Sequence, residues 1–157
     1  MEGLSLKERI FYGLVCNEKR IYQHWYRRYL NAGVDLDRIR RVVARIGNWY
    51  QWCSEWSAEG ERMEKMAEEA LEHGNTQSAK VFFHEAAGCF HVGQHFFYID
   101  PHQKAAAEEK LRSNYLRAIQ LYDSAVRPIR VEIPFRGTVI PGYLRLTSQP
   151  ERPLGVV

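Results

Sequence analysis

Residues 130–146 read RVEIPFRGTVIPGYLRL. Val131, Ile133 and Phe135 alternate with other residues, and after Arg136-Gly137-Thr138 the alternation resumes through Ile140, Gly142, Leu144 and Leu146. Period-two patterning on both sides of a glycine turn predicts a β-hairpin. Pro134 and Pro141 each lack a backbone N–H, which predicts edge strands or irregular pairing. After a loop over 147–153, Leu154-Gly-Val-Val157 opens an apolar run of the type found in strands buried on both faces.

Upstream the period is helical. Ser5-Leu-Lys-Glu8 has capping-box spacing, and Leu6, Ile10, Leu14, Ile21, Trp25 and Tyr29 follow it at helical intervals as far as Asn31-Ala-Gly33. A second helix is expected from Asp35, its stripe running through Leu36, Ile39, Val42, Val43, Ile46, Trp49, Tyr50, Cys53 and Trp56. The pattern weakens near residues 57–60. A Glu-rich, solvent-facing helix is then expected up to His73-Gly74-Asn75, a C-terminal stop. An apolar helix should follow from Asn75 or Thr76 through Tyr98. Asp100-Pro101 predicts a capped start for the next, which turns Leu111, Tyr115, Leu116, Ile119 and Tyr122 inward and ends before Arg127-Pro128.

The fold class is therefore mainly α: a four- to five-helix, bundle-like region over 1–127, then a β-hairpin and the start of a further strand over 128–157. A lone hairpin is marginal in water, so this order predicts a piece of a larger protein. The 157 residues suffice for a helical core without disulfides. Cys16, Cys53 and Cys89 lack CxxC spacing, which argues against a zinc knuckle and for inert packing in a reduced, cytoplasmic protein. No apolar run approaches the ~18 residues of a membrane span, and no signal-peptide core is apparent. The net charge of +3 divides into +5 over 1–50, −5 over 51–75 and +3 over 76–157. Nucleic-acid binders are usually more lopsided, which leaves that reading only a minor alternative.

The string from Arg130 to Leu146, together with ERPLGVV at 151–157, resembles the opening of the catalytic domain in α/β-hydrolases that carry a helical region ahead of it. That group includes 2,6-dihydroxypseudooxynicotine hydrolase and fungal polyketide-shortening hydrolases. Residues 78–110, SAKVFFHEAAGCFHVGQHFFYIDPHQKAAAEEK, resemble the corresponding helical stretch. The resemblance implies that the hairpin supplies the first two strands of the hydrolase sheet. It also implies a Gly-x-Ser-x-Gly elbow, an acid and a His further along. None of Ser5, Ser54, Ser57, Ser78, Ser113, Ser124 and Ser148 has that setting. The triad is accordingly expected beyond Val157, and the 1–157 chain alone is expected to be inactive.

Three constellations are candidates for contact with a ligand. His84, Gly88, His91 and His95 fall at offsets 0, 4, 7 and 11, on one helical face. They could line a pocket beneath a lid, or form a packing face in which the histidines are satisfied by neighbours. His91-x-x-x-His95 lacks the adjacent Glu of a zinc motif, so no metal is expected. Trp49 and Trp52, with Tyr50 and Trp56, could stack on an aromatic ligand or fill the space between helices. Tyr22, Trp25, Tyr26, Arg27, Arg28 and Tyr29 interleave aromatics with cations, a pattern that could suit single-stranded nucleic acid, but helical spacing buries Trp25 and Tyr29 and turns the arginines outward onto a solvated or subunit-facing surface.

The functional expectation is the N-terminal lid region of a serine-type α/β-hydrolase acting on a small-molecule carbonyl substrate, by ester or C–C cleavage. No cofactor, no nucleic acid and no membrane are expected, and a homo-oligomer, most simply a dimer, is. The alternative is a standalone helical protein-interaction module; the helices 77–98 and 101–123 would form an αα-hairpin, without a fixed-period repeat to support it.

Overall fold

The computed structural model describes residues 5–7 and 18–145. Its helices are α1 (Glu18–Asn31), α2 (Leu36–Arg45), α3 (Trp52–Glu72), α4 (Thr76–Gln94) and α5 (Pro101–Gln120). Strands β1 (Ile129–Phe135) and β2 (Thr138–Leu144) follow. The molecule is thus helical first and ends its described part in a two-stranded antiparallel sheet. Glu8, Ile10, Leu14, Cys16, the side chains of Ile21 and Tyr22, Leu146, the loop 147–153 and the strand expected at Leu154–Val157 lie outside the described residues.

Local chemistry sets most boundaries. The Asp35 side chain accepts the Arg38 backbone N–H at 3.0 Å and starts α2. Gly74, at φ +73°, ends α3. Asp100 accepts from the N–H groups of His102 and Gln103, with Pro101 at the first helical position of α5.

Three boundaries differ from the sequence expectation. The apolar stripe from Leu36 to Trp56 is one helix by spacing, but the chain breaks at Ile46-Gly47-Asn48. There Asn48 caps a short 3-10 turn, Trp49–Gln51, by accepting the Tyr50 N–H. Conversely α3 runs unbroken through residues 57–60. Gly60 is there for packing: a Cβ on it would lie 2.8 Å from the Phe90 ring of α4. Helix α4 stops at Gln94 rather than Tyr98, and Phe96 then turns the chain at φ 60°.

The Glu-rich segment is amphipathic: Glu61, Glu68, Glu69 and Glu72 face solvent as expected, but Glu59 is buried. Helix α3 buries Trp52, Cys53, Trp56, Glu59, Gly60, Met63 and Ala67, and α4 packs against both α3 and α5. The main core gathers Tyr29, Val34, Ile39, Val42, Trp49, Trp52, Trp56, Phe90 and Phe97. A smaller one holds Ala67, Ala79, Phe83 and Ala118. On α5, Ile119 is buried, but Leu116 points to solvent.

The hairpin register pairs Ile129 with Leu144, Val131 with Gly142, Ile133 with Ile140 and Phe135 with Thr138. Arg136 and Gly137 both have positive φ, 46° and 79°, which matches the two-residue turn that fits the twist of paired strands. With Phe135 and Thr138 closing the turn, alternation places Pro134 and Pro141 at non-hydrogen-bonded positions. The ladder between β1 and β2 therefore keeps its donors, and the prolines interrupt only the outer edges.

Candidate functional site

The face of α4 that carries the histidines meets two different surroundings. At one end, His84 Nε2 lies 3.1 Å from the Tyr122 hydroxyl, and its ring stands edge-on to Tyr115 and Tyr122, each at 5.8 Å. Arg145, just past β2, donates to the Tyr115 hydroxyl at 3.4 Å, and Tyr143 of β2 packs on the Tyr115 ring at 5.3 Å. His84 thus sits where α4, α5 and the hairpin meet. Burial, then Arg145 and Lys80, hold its imidazole below its ordinary pKa.

That direction fixes a pH dependence. A histidine whose folded pKa is lowered contributes stability fully present above the unfolded value, and lost as pH falls through that value toward the folded one. The His84 ring should therefore titrate, in an NMR series, with a midpoint below the ordinary ~6.5. A midpoint at or above that value would contradict this environment.

About 10 Å of helix rise separates His84 from His91. His91 and His95 have ring centroids 5.3 Å apart. His95 also packs on Phe96 at 4.0 Å and edge-on to Trp25 of α1 at 5.8 Å. Both imidazoles are pushed down by burial first; Lys104 adds to the effect on each, and His91 adds to it on His95. Lys104 itself is anchored on Gln94, donating to its backbone and side-chain oxygens at 2.7 and 2.6 Å. Neutral imidazoles can donate or accept one hydrogen bond each, so this end offers polar contacts framed by aromatic rings.

Gly88, between the two ends, has a packing reason. A Cβ there would lie 2.9 Å from the Ala32 carbonyl oxygen and 2.9 Å from Val34 Cγ2. The α1–α2 connection therefore covers the middle of this face. Trp49 and Trp52 are buried and stack at 4.9 Å, and the Trp52 indole N–H donates to the Val92 carbonyl at 2.9 Å. In this structure both rings are core. Cys53 and Cys89 are buried thiols, and burial pushes Cys89 up to about 12. Among the described residues no group of three or more His, Cys, Asp or Glu converges to hold a metal ion.

The sequence reading missed a charged cluster that joins α2, α3 and α4. Glu59, buried on α3, is reached by Arg62 at 2.6 Å, Arg38 at 3.3 Å and Arg45 at 3.4 Å. Arg38 also binds Glu85 of α4 at 2.7 Å. Further along, Glu64 pairs with Lys110 and Arg117 of α5, and Glu68 with Arg117. Four glutamates of the acidic segment, Glu55, Glu59, Glu64 and Glu68, pair with cations from the basic segments on either side of it. The abrupt charge change at residue 51 was the only trace of this in the sequence.

No protein-family model matches the chain. It is similar to the alpha/beta hydrolase xenA of Xenoacremonium sinensis, 30% identical over 130 residues that cover 81% of this chain and 30% of the relative. A similar match is the alpha/beta hydrolase pydG of an Acremonium species, 28% identical over 74% of this chain and 28% of that protein. A third is the hydrolyase ccsE of Aspergillus clavatus, 27% identical over 73% of this chain and 29% of that protein. The crystal structure of 2,6-dihydroxy-pseudo-oxynicotine hydrolase shares the fold, with a TM-score of 0.61 and 21% identity over 76% of this chain and 32% of that one. The chain is an α/β-hydrolase-related N-terminal region. It spans about 30% of the length of the curated relatives it matches.

Proposed function

We propose that this chain is the helical lid (residues 1–127) and the first hairpin of the catalytic core (residues 128–157) of a serine-type α/β-hydrolase. Its substrate would be a small molecule with a reactive carbonyl, cleaved at an ester or C–C bond. The observation that carries this reading is the bare face of the hairpin. Ile129, Ile133, Phe135, Ile140 and Leu144 share one face and are between 45% and 54% exposed. Two strands alone do not make a stable sheet, and so contiguous an apolar face calls for cover. Further strands and helices of a hydrolase core would supply it. The hydrolase names of the relatives point the same way.

In the whole enzyme the lid would exclude water and shape the pocket, and a serine activated by a histidine would attack the carbonyl held in an oxyanion hole. His84, His91 and His95 are the lid groups with polar atoms to offer, Gly88 lets the α1–α2 connection close over them, and Trp49 and Trp52 stiffen the wall behind. Such an enzyme would work in the cytoplasm; no helix among the described residues is long and apolar enough to cross a membrane.

The purified chain should hydrolyse p-nitrophenyl esters no faster than buffer does. Turnover that stays with the chain through successive chromatographic steps would overturn the placement of the nucleophile outside it. The uncovered hairpin face should also draw copies together, so light scattering should give a dimer; a clean monomer at high concentration would count against that.

A further inference from the structure

The arginines around Glu59 do more than bury one carboxylate. A shallow, open groove of about 480 Å³ lies between α2 and α3, lined by Arg41, Arg45, Glu55, Ala58, Glu59 and Arg62. Both acids in it are already engaged. Glu59 accepts from Arg62 on one oxygen, which also lies 3.3 Å from Arg38 Nε as an ion pair, and from Arg45 on the other, and Glu55 binds Arg45 at 3.0 Å.

The cations are not used up. Each guanidinium carries five N–H donors in a fixed fork. Arg45 commits Nε to Glu55 and Nη2 to Glu59, which leaves Nη1. Arg62 commits Nη2 to Glu59 and turns Nη1 to the Met66 sulfur at 3.5 Å, which leaves Nε. Arg41 is exposed and, among the described residues, has no carboxylate at ion-pair distance. Asp35 feels its charge but is committed to the Arg38 backbone N–H. Three guanidinium groups from two helices therefore border one concavity. Two of them are held in place by buried or half-buried carboxylates, and the third is unneutralised.

Forks of this kind bind the oxygens of phosphate in pairs, and holding them beforehand reduces the entropy lost on binding. Glu59 has both oxygens engaged, and Glu55 engages Oε2 with Arg45. We propose that this groove is a binding site for a dianionic phosphoryl group, free or carried by a small metabolite.

The test is titration of the full 1–157 chain with inorganic phosphate, glucose 6-phosphate and acetate at constant ionic strength, followed by the arginine side-chain N–H signals. Saturable shifts at Arg41, Arg45 and Arg62 with both phosphates, and none with acetate, are expected. Equal affinity for the two phosphates would place recognition in the phosphoryl group alone; tighter binding of the ester would assign the site to a phosphorylated metabolite. Arg41→Ala should weaken binding at least tenfold. It removes none of the ion pairs that join α2 to α3, so the thermal melt should stay unchanged. Glu55→Gln should tighten binding, because it removes a negative charge from the wall. Arg112→Ala, on α5, should change nothing. No saturable shift, equal binding of acetate, or equal loss with Arg41→Ala and Arg112→Ala would each overturn the proposal.

Discussion

Replacing Trp52 with alanine is expected to cost about 3–5 kcal/mol of folding stability, the range seen when large buried aromatics are truncated. The ring is wholly buried, stacks on Trp49 and lies against Trp56 and Tyr29. It also gives its N–H to Val92 of α4, so one side chain ties α3 to α4 by packing and by a hydrogen bond. Domains of this size are stable by roughly 5–15 kcal/mol in total. The substitution should therefore bring the urea midpoint close to the point where the chain is partly unfolded at 37 °C. Trp52→Phe separates the two contributions: it keeps most of the packing and loses the donor, for about 1 kcal/mol from the hydrogen bond plus a small cavity cost. A loss under 1 kcal/mol for the alanine variant would mean that the tryptophan cluster is not the centre of the core.

The second large effect is expected at Glu59. Removing one partner from a buried ion pair costs about 3–5 kcal/mol, because the other charge is left without compensation. Glu59→Ala would leave Arg38, itself buried on α2, facing Glu85 alone, and would free Arg45 and Arg62 from their shared anchor. Burial by itself would raise the Glu59 carboxyl; Arg62, Arg38 and Arg45 outweigh that and hold it below the usual glutamate value. The sign of the pH dependence follows. A depressed carboxyl contributes stability that is present above the unfolded value of ~4.3 and lost as pH falls through the lower folded value. Wild type should thus lose stability on acidification below about pH 4 more steeply than Glu59→Ala does. Chemical denaturation of both proteins at pH 7 and pH 3 measures this, and equal slopes would show that the network contributes nothing through Glu59.

Much of the fold is legible in the sequence because its boundaries are set locally. Asp35, Gly74, Asp100-Pro101 and Arg136-Gly137 each act through backbone groups within a few residues. What is not legible depends on partners far along the chain. The apolar spacing from Leu36 to Trp56 continues across the break at Gly47-Asn48, since the residues on both sides face the same core. Glutamates read as a solvated face, but Glu59 and Glu64 are satisfied by arginines and a lysine from α2, α3 and α5. For the candidate site, period alone places His84, His91 and His95 on one face. That His84 meets Tyr122 and the hairpin, while His95 meets Trp25, is a matter of helix packing that no spacing rule contains.

The central claim is that these helices cover, and this hairpin opens, the catalytic core of a serine hydrolase. Reading the transcript onward from the codon for Val157 tests it most directly. The expected result is an open frame that reaches a Gly-x-Ser-x-Gly elbow at a strand-to-helix turn, followed in order by an acid and a histidine. A stop codon immediately after Val157 would contradict it, and would leave the five helices as an interaction module with an uncovered hairpin.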